Sequence, residues 1–141
     1  MMNLLFVCKH NRFRSKVAEA LFRHHYKGDK VNTKSAGLIA TLMHPYIPRN
    51  VMQILKKRGI SIRDEGAIRI EPFLLKWADN VIIVADDIEL SMFKDRDFIH
   101  GKKVFIWPIK EVSENDIRGI EWKINEIEKN VIDLVKIVNS K

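Results

Sequence analysis

Near the start of the chain a cysteine and an arginine stand with five residues between them, in Cys8-Lys9-His10-Asn11-Arg12-Phe13-Arg14, and Ser15 follows. These types at this spacing suit attack on a phosphoryl group. A cysteine thiolate is a strong nucleophile. Arg14 can fork two donors onto phosphate oxygens. Ser15 can hydrogen-bond the sulfur and hold it as a leaving group. Asn11 tolerates a left-handed backbone, which so tight a loop requires. The backbone N–H groups of residues 9–14 would line the concavity that takes the anion.

Two elements must hold that loop. Leu4 to Val7 is a short apolar run suited to a buried strand. From about Ser15 the pattern turns helical, with Val17, Ala18, Leu21 and Phe22 at helical spacing. A loop closing onto a helix N-terminus gathers N–H groups into one nest, and the helix dipole adds positive potential.

Val-Cys-x-x-Asn-x-x-Arg-Ser after a strand, with Ala-Glu-Ala-Leu-Phe following, resembles the low-molecular-weight protein tyrosine phosphatases, whose fold the thioredoxin-coupled arsenate reductases share. The resemblance implies a cysteinyl-phosphate mechanism without a metal or other cofactor. It also implies that Ser35, in Ser-Ala-Gly, buttresses Asn11. The family's general acid is an aspartate in Asp-Pro after the fourth strand. At the matching positions this chain carries Glu111 and Val112, with Ser113 and Glu114 in place of the family's aromatics. Glu111 is thus the first candidate for the acid, and Asp116 the second. An aspartate beside a long helix also reads as an N-cap. Phe13 stands where many members have a second cysteine. His10 stands where the animal enzymes have glycine, and Arg12 where phosphoarginine-specific relatives have threonine. The segment 38–48 is expected to wall the cleft, with Leu38, Thr41, Leu42, Met43 and Tyr46 as candidates.

The rest of the chain alternates strand and helix. Val31 to Gly37 reads as a second strand, Asn80 to Ala85 as a third and Lys102 to Ile109 as a fourth. Helices are expected around Val51 to Arg58, closed by Gly59, over Pro72 to Ala78, and from about Ile117 to Val138. Gly28 is expected to cap the first helix, and Asp86 and Asp87 to cap a helix after the third strand. The alternation predicts an α/β fold: a parallel sheet with helices on both faces, in one domain over 1–141. The resemblance adds the strand order 2-1-3-4. Ligands of such sheets sit beyond the carboxyl ends of the strands, where Cys8, Ser35 and Glu111 are expected to meet.

Composition narrows the function classes. The chain of 141 residues carries a net charge of +7, but its basic residues are scattered and its aromatics do not interleave with them. That argues against nucleic acid and suits phosphorylated or acidic substrates. No apolar run approaches a membrane span, and the N-terminus does not read as a signal peptide. One cysteine excludes a disulfide within the chain and fits a cytoplasmic protein. The adjacent His24 and His25 read as a surface helix end rather than a metal site.

The expected reaction is hydrolysis of a phosphorylated protein or small aryl phosphate, by a monomer or weak dimer. Two alternatives stand beside it. One is an arsenate reductase-like enzyme using an external thiol. The other is a non-enzymatic phosphate-binding module that has lost the acid.

Overall fold

The β-branched and apolar runs form a four-stranded sheet in a computed structural model that describes residues 1–40, 45–89, 91 and 103–140. The elements run β1 (Met2–Cys8), α1 (Arg14–His25), β2 (Val31–Gly37), α2 (Arg49–Lys57), α3 (Pro72–Trp77), β3 (Asn80–Val84), β4 (Lys103–Trp107) and α4 (Ile117–Asn139). The sheet order is β2-β1-β3-β4, and every pairing is parallel. This is the α/β architecture, with the strand order, that the sequence led us to expect.

Side-chain alternation along β1 divides the core in two. Leu4 and Phe6 point to one face, where Val17 and Leu21 of α1, Leu55 of α2, and Ile120, Ile124, Ile127 and Val131 of α4 cover them. Leu5 and Val7 point to the other face, against Leu74 and Leu75 of α3 and Val81 and Ile83 of β3. A strand buried on both faces must be apolar throughout, which is why Leu4 to Val7 shows no polar alternation. Burying each such side chain contributes about 1.5–3 kcal/mol. Among the described residues no helix is long and apolar enough to cross a membrane.

Several boundaries differ from the sequence expectation, each for a local reason. Helix α1 ends at His25 rather than at Gly28, because Tyr26 adopts an extended conformation. Its ring stacks on Phe22 at 5.2 Å. Strand β4 stops at Trp107 instead of Ile109, since Pro108 has no N–H to offer the ladder. Ser35 lies inside β2, which continues to Gly37. Helix α2 closes on Gly59 at φ 71°, as expected. Lys102 lies outside the described residues, as do Thr41, Leu42 and Met43 of the expected cleft wall.

Candidate active site

The loop between β1 and α1 is built around Asn11. It takes the left-handed conformation, with φ 55°, and is fully buried. Its Nδ2 donates to Ser15 Oγ at 2.8 Å and to Ser35 Oγ at 3.0 Å. Its Oδ1 accepts the N–H of Ile68 at 2.8 Å. One side chain therefore ties the loop to α1, to β2 and to the segment before α3. Gly37 allows this approach: a Cβ there would lie 2.7 Å from the His10 carbonyl carbon and 2.8 Å from the Asn11 nitrogen. Leu38 and Ile39 donate their N–H groups to the carbonyls of Cys8 and Lys9, at 2.9 and 2.8 Å.

The sulfur of Cys8 sits in this frame, buried with 2% of the residue exposed. Ser15 Oγ lies 2.9 Å from it, and the Asn11 N–H donates to it at 3.2 Å. The Asn11 Nδ2 donor occupies the Ser15 oxygen, so the hydroxyl proton is free to point at sulfur. Two donors on one sulfur is the arrangement a thiolate requires, as nucleophile and as leaving group. Helix α1 begins beside it with no side-chain cap from Phe13 and no acidic residue in its first turn. Its N-terminal N–H groups and the positive end of its dipole remain available to an anion.

Arg14 is the first residue of α1 and is 2% exposed. Its guanidinium donates to the Ile109 carbonyl at 2.8 Å and pairs with Asp87 Oδ1 at 3.1 Å, with Asp86 Oδ1 at 3.8 Å. The helix that Asp86 and Asp87 were expected to cap would fall largely outside the described residues. What the described residues contain is an ion pair that orients Arg14. Asp87 Oδ1 is buried without a hydrogen-bond partner, because its contact with Arg14 is close but poorly aligned. The Asp86–Asp87 contribution was missed from the sequence. Its signal was two carboxylates directly after a strand that neighbours β1.

A cleft of about 130 Å³ opens over the loop, with Cys8, His10, Arg12, Arg14, Glu111 and Glu114 on its walls. Phe13, Pro48 and Val51 supply apolar lining. The chain at Glu111 is anchored on either side by buried Ile109 and by Val112, which packs on the core. Asp116 is not part of that lining. It caps α4, its Oδ1 accepting the Gly119 N–H at 2.9 Å. Lys9 contributes its carbonyl to Ile39 rather than a side chain to the cleft. Leu38 packs on the second core cluster, and Tyr46 is exposed, its carbonyl accepting from Arg12 Nε at 3.0 Å. Glu114 is a cleft residue that the sequence reading did not nominate.

Known proteins resemble this chain in sequence and fold. The family model for low molecular weight phosphotyrosine protein phosphatase matches residues 3–141. An arsenate reductase of Bacillus licheniformis is 33% identical over 84 residues, which is 60% of this chain and 57% of that protein. The match thus spans little more than half the length of that curated relative. The structure of a YwlE mutant from Bacillus subtilis superposes with a TM-score of 0.82 at 25% identity, covering 99% of both chains. A low molecular weight protein tyrosine phosphatase from T. tengcongensis superposes at 0.80 with 26% identity, over 96% of this chain and 99% of that one. The relatives are enzymes named for two chemistries, phosphatase and arsenate reductase. The family match covers nearly the whole chain, and the chain belongs to the low molecular weight phosphotyrosine protein phosphatase family.

Proposed function

We propose that the protein hydrolyses phosphomonoesters through a phosphoryl intermediate on Cys8. The observation that carries this reading is the sulfur at the open N-terminus of α1, held between the Ser15 hydroxyl and the Asn11 N–H. In the first step the thiolate attacks phosphorus in line. An S–P bond forms, the ester P–O bond breaks, and the departing oxygen takes a proton from the Glu111 carboxyl. Residues 9–14 present N–H groups to the equatorial oxygens, and Arg14 adds its guanidinium as charge develops there. In the second step the Glu111 carboxylate takes a proton from water, which attacks phosphorus. The S–P bond breaks, and Ser15 receives the thiolate. Phosphorylated proteins and small aryl phosphates are the substrate classes, with the cleft's lack of a stacking aromatic at positions 113 and 114 favouring neither exclusively.

The acid is tested with two variants on two esters. Glu111→Gln should slow phenyl phosphate, a poor leaving group, by about 10²–10⁴. It should lower kcat/KM for p-nitrophenyl phosphate much less. Asp116→Asn should leave both rates close to wild type and cost up to about 1 kcal/mol of stability as a lost cap. The reverse pattern transfers the role to Asp116. If neither variant slows either ester, neither carboxylate is the general acid; a wild type that cleaves neither ester favours the anion-binding reading over the hydrolase.

The relationship to arsenate reductases supports a second reading. Reduction of arsenate at Cys8 would need an external thiol to supply electrons, because the chain has one cysteine and cannot pass oxidation to a second.

A further inference from the structure

The walls of the cleft meet at an ion pair between two residues that neither the nucleophile nor the acid uses. Arg12 Nη2 lies 3.5 Å from Glu114 Oε2, with side-chain exposures of 32% and 55%. An exposed pair of this length, taken alone, contributes little. Here it is the centre of a larger set. The Nε edge of the same guanidinium donates to the Tyr46 carbonyl at 3.0 Å. The Glu114 carbonyl accepts from Asn50 Nδ2 at 2.8 Å. Arg12 is thus already ordered by one bond and Glu114 by another, so their pairing costs less conformational entropy than an isolated bridge.

These contacts join three segments distant in sequence: the loop bearing Cys8, the stretch from Tyr46 into α2, and the segment bearing Glu111. That last segment is exposed at Lys110, Glu111 and Ser113 to Asp116. Its first half is anchored by Ile109 and Val112 on the core, and its second half reaches across the cleft through Glu114. We propose that Arg12 and Glu114 form a clasp that positions the Glu111 segment over Cys8. The inference rests on the hydrolase reading for its catalytic consequence. Its mechanical consequence, a tie between two loops, can be measured separately.

The catalytic test compares kcat/KM for phenyl and p-nitrophenyl phosphate in the full chain, in Arg12→Gln, Glu114→Gln and the double variant. A displaced acid harms the poor leaving group more. The phenyl to p-nitrophenyl ratio should therefore fall about two- to five-fold in each single variant, the range an exposed pair commands. The double variant should be no worse than the lower single one. Raising ionic strength from about 0.01 to about 1 M shortens the screening length from roughly 30 to 3 Å. It should lower the wild-type ratio towards that of Glu114→Gln and leave the ratio of Glu114→Gln unchanged. A purely structural role would not move with salt in this way. Additive losses or a salt-independent ratio overturn the proposal.

The mechanical test is amide hydrogen exchange at residues 111–115, which should quicken in both single variants. Unchanged exchange refutes the clasp whatever the rates. If exchange responds while the wild type cleaves neither ester, the hydrolase reading fails and the tie between the loops stands.

Discussion

Replacing Asn11 should damage stability and turnover together, and the size of the effect follows from its contacts. Asn11→Ala removes two donors, to Ser15 and Ser35, and the acceptor of the Ile68 N–H. Each such bond contributes about 1 kcal/mol. The site is fully buried, so water does not replace them. Alanine must also hold φ 55°, at about 1 kcal/mol more. The total is about 4 kcal/mol, a large part of the roughly 5–15 kcal/mol that typical domains possess. Asn11→Asp separates the two effects. Aspartate tolerates the left-handed conformation, keeps an acceptor for Ile68 and can accept from both serine hydroxyls. Its stability cost should be near 1 kcal/mol. It also draws the Ser15 proton away from Cys8 Sγ, so turnover should still fall. Urea unfolding gives the stabilities, and p-nitrophenyl phosphate the rates. An alanine variant within about 1 kcal/mol of wild type, or an aspartate variant with full turnover, would refute the reasoning.

Two further substitutions probe the same frame. Arg14→Lys keeps the charge but cannot hold the Ile109 carbonyl and Asp87 while presenting two donors to phosphate, so the rate should fall about a hundredfold or more by steady-state assay. Gly37→Ala would press a Cβ against backbone atoms of His10 and Asn11, costing about 1–3 kcal/mol in urea unfolding and weakening phosphate binding measured by calorimetry.

Much of this site could be read from the sequence because its parts are local. The Cys8-to-Ser15 run, the left-handed Asn11 and the onset of α1 all lie within eight consecutive residues, where spacing dictates geometry. Strands β1 and β3 were legible because burial on both faces demands unbroken apolar runs, and α4 because its buried residues repeat at helical intervals. Ser35 was found only through family resemblance, since nothing local distinguishes it from an ordinary strand serine. What stayed hidden depends on distant pairing. Asp87 meets Arg14 from 73 positions away, and Glu114 meets Arg12 from 102. A carboxylate after a strand looks the same in sequence whether it caps a helix or orients an arginine. The sheet order brings β3 beside β1 and so sets Asp86 and Asp87 next to Arg14. Pro108 is visible in the sequence, and it ends β4 at Trp107.

The central claim is that Cys8 carries the phosphoryl group during turnover. Rapid acid quench of the enzyme with p-nitrophenyl phosphate, followed by intact-protein and peptide mass spectrometry, tests it directly. Glu111→Gln, which should slow breakdown of the intermediate, is the form in which it accumulates. One phosphoryl group per chain is expected, on the peptide containing Cys8, with no turnover in Cys8→Ser. Hydrolysis that proceeds without this adduct, or that survives in Cys8→Ser, would contradict it.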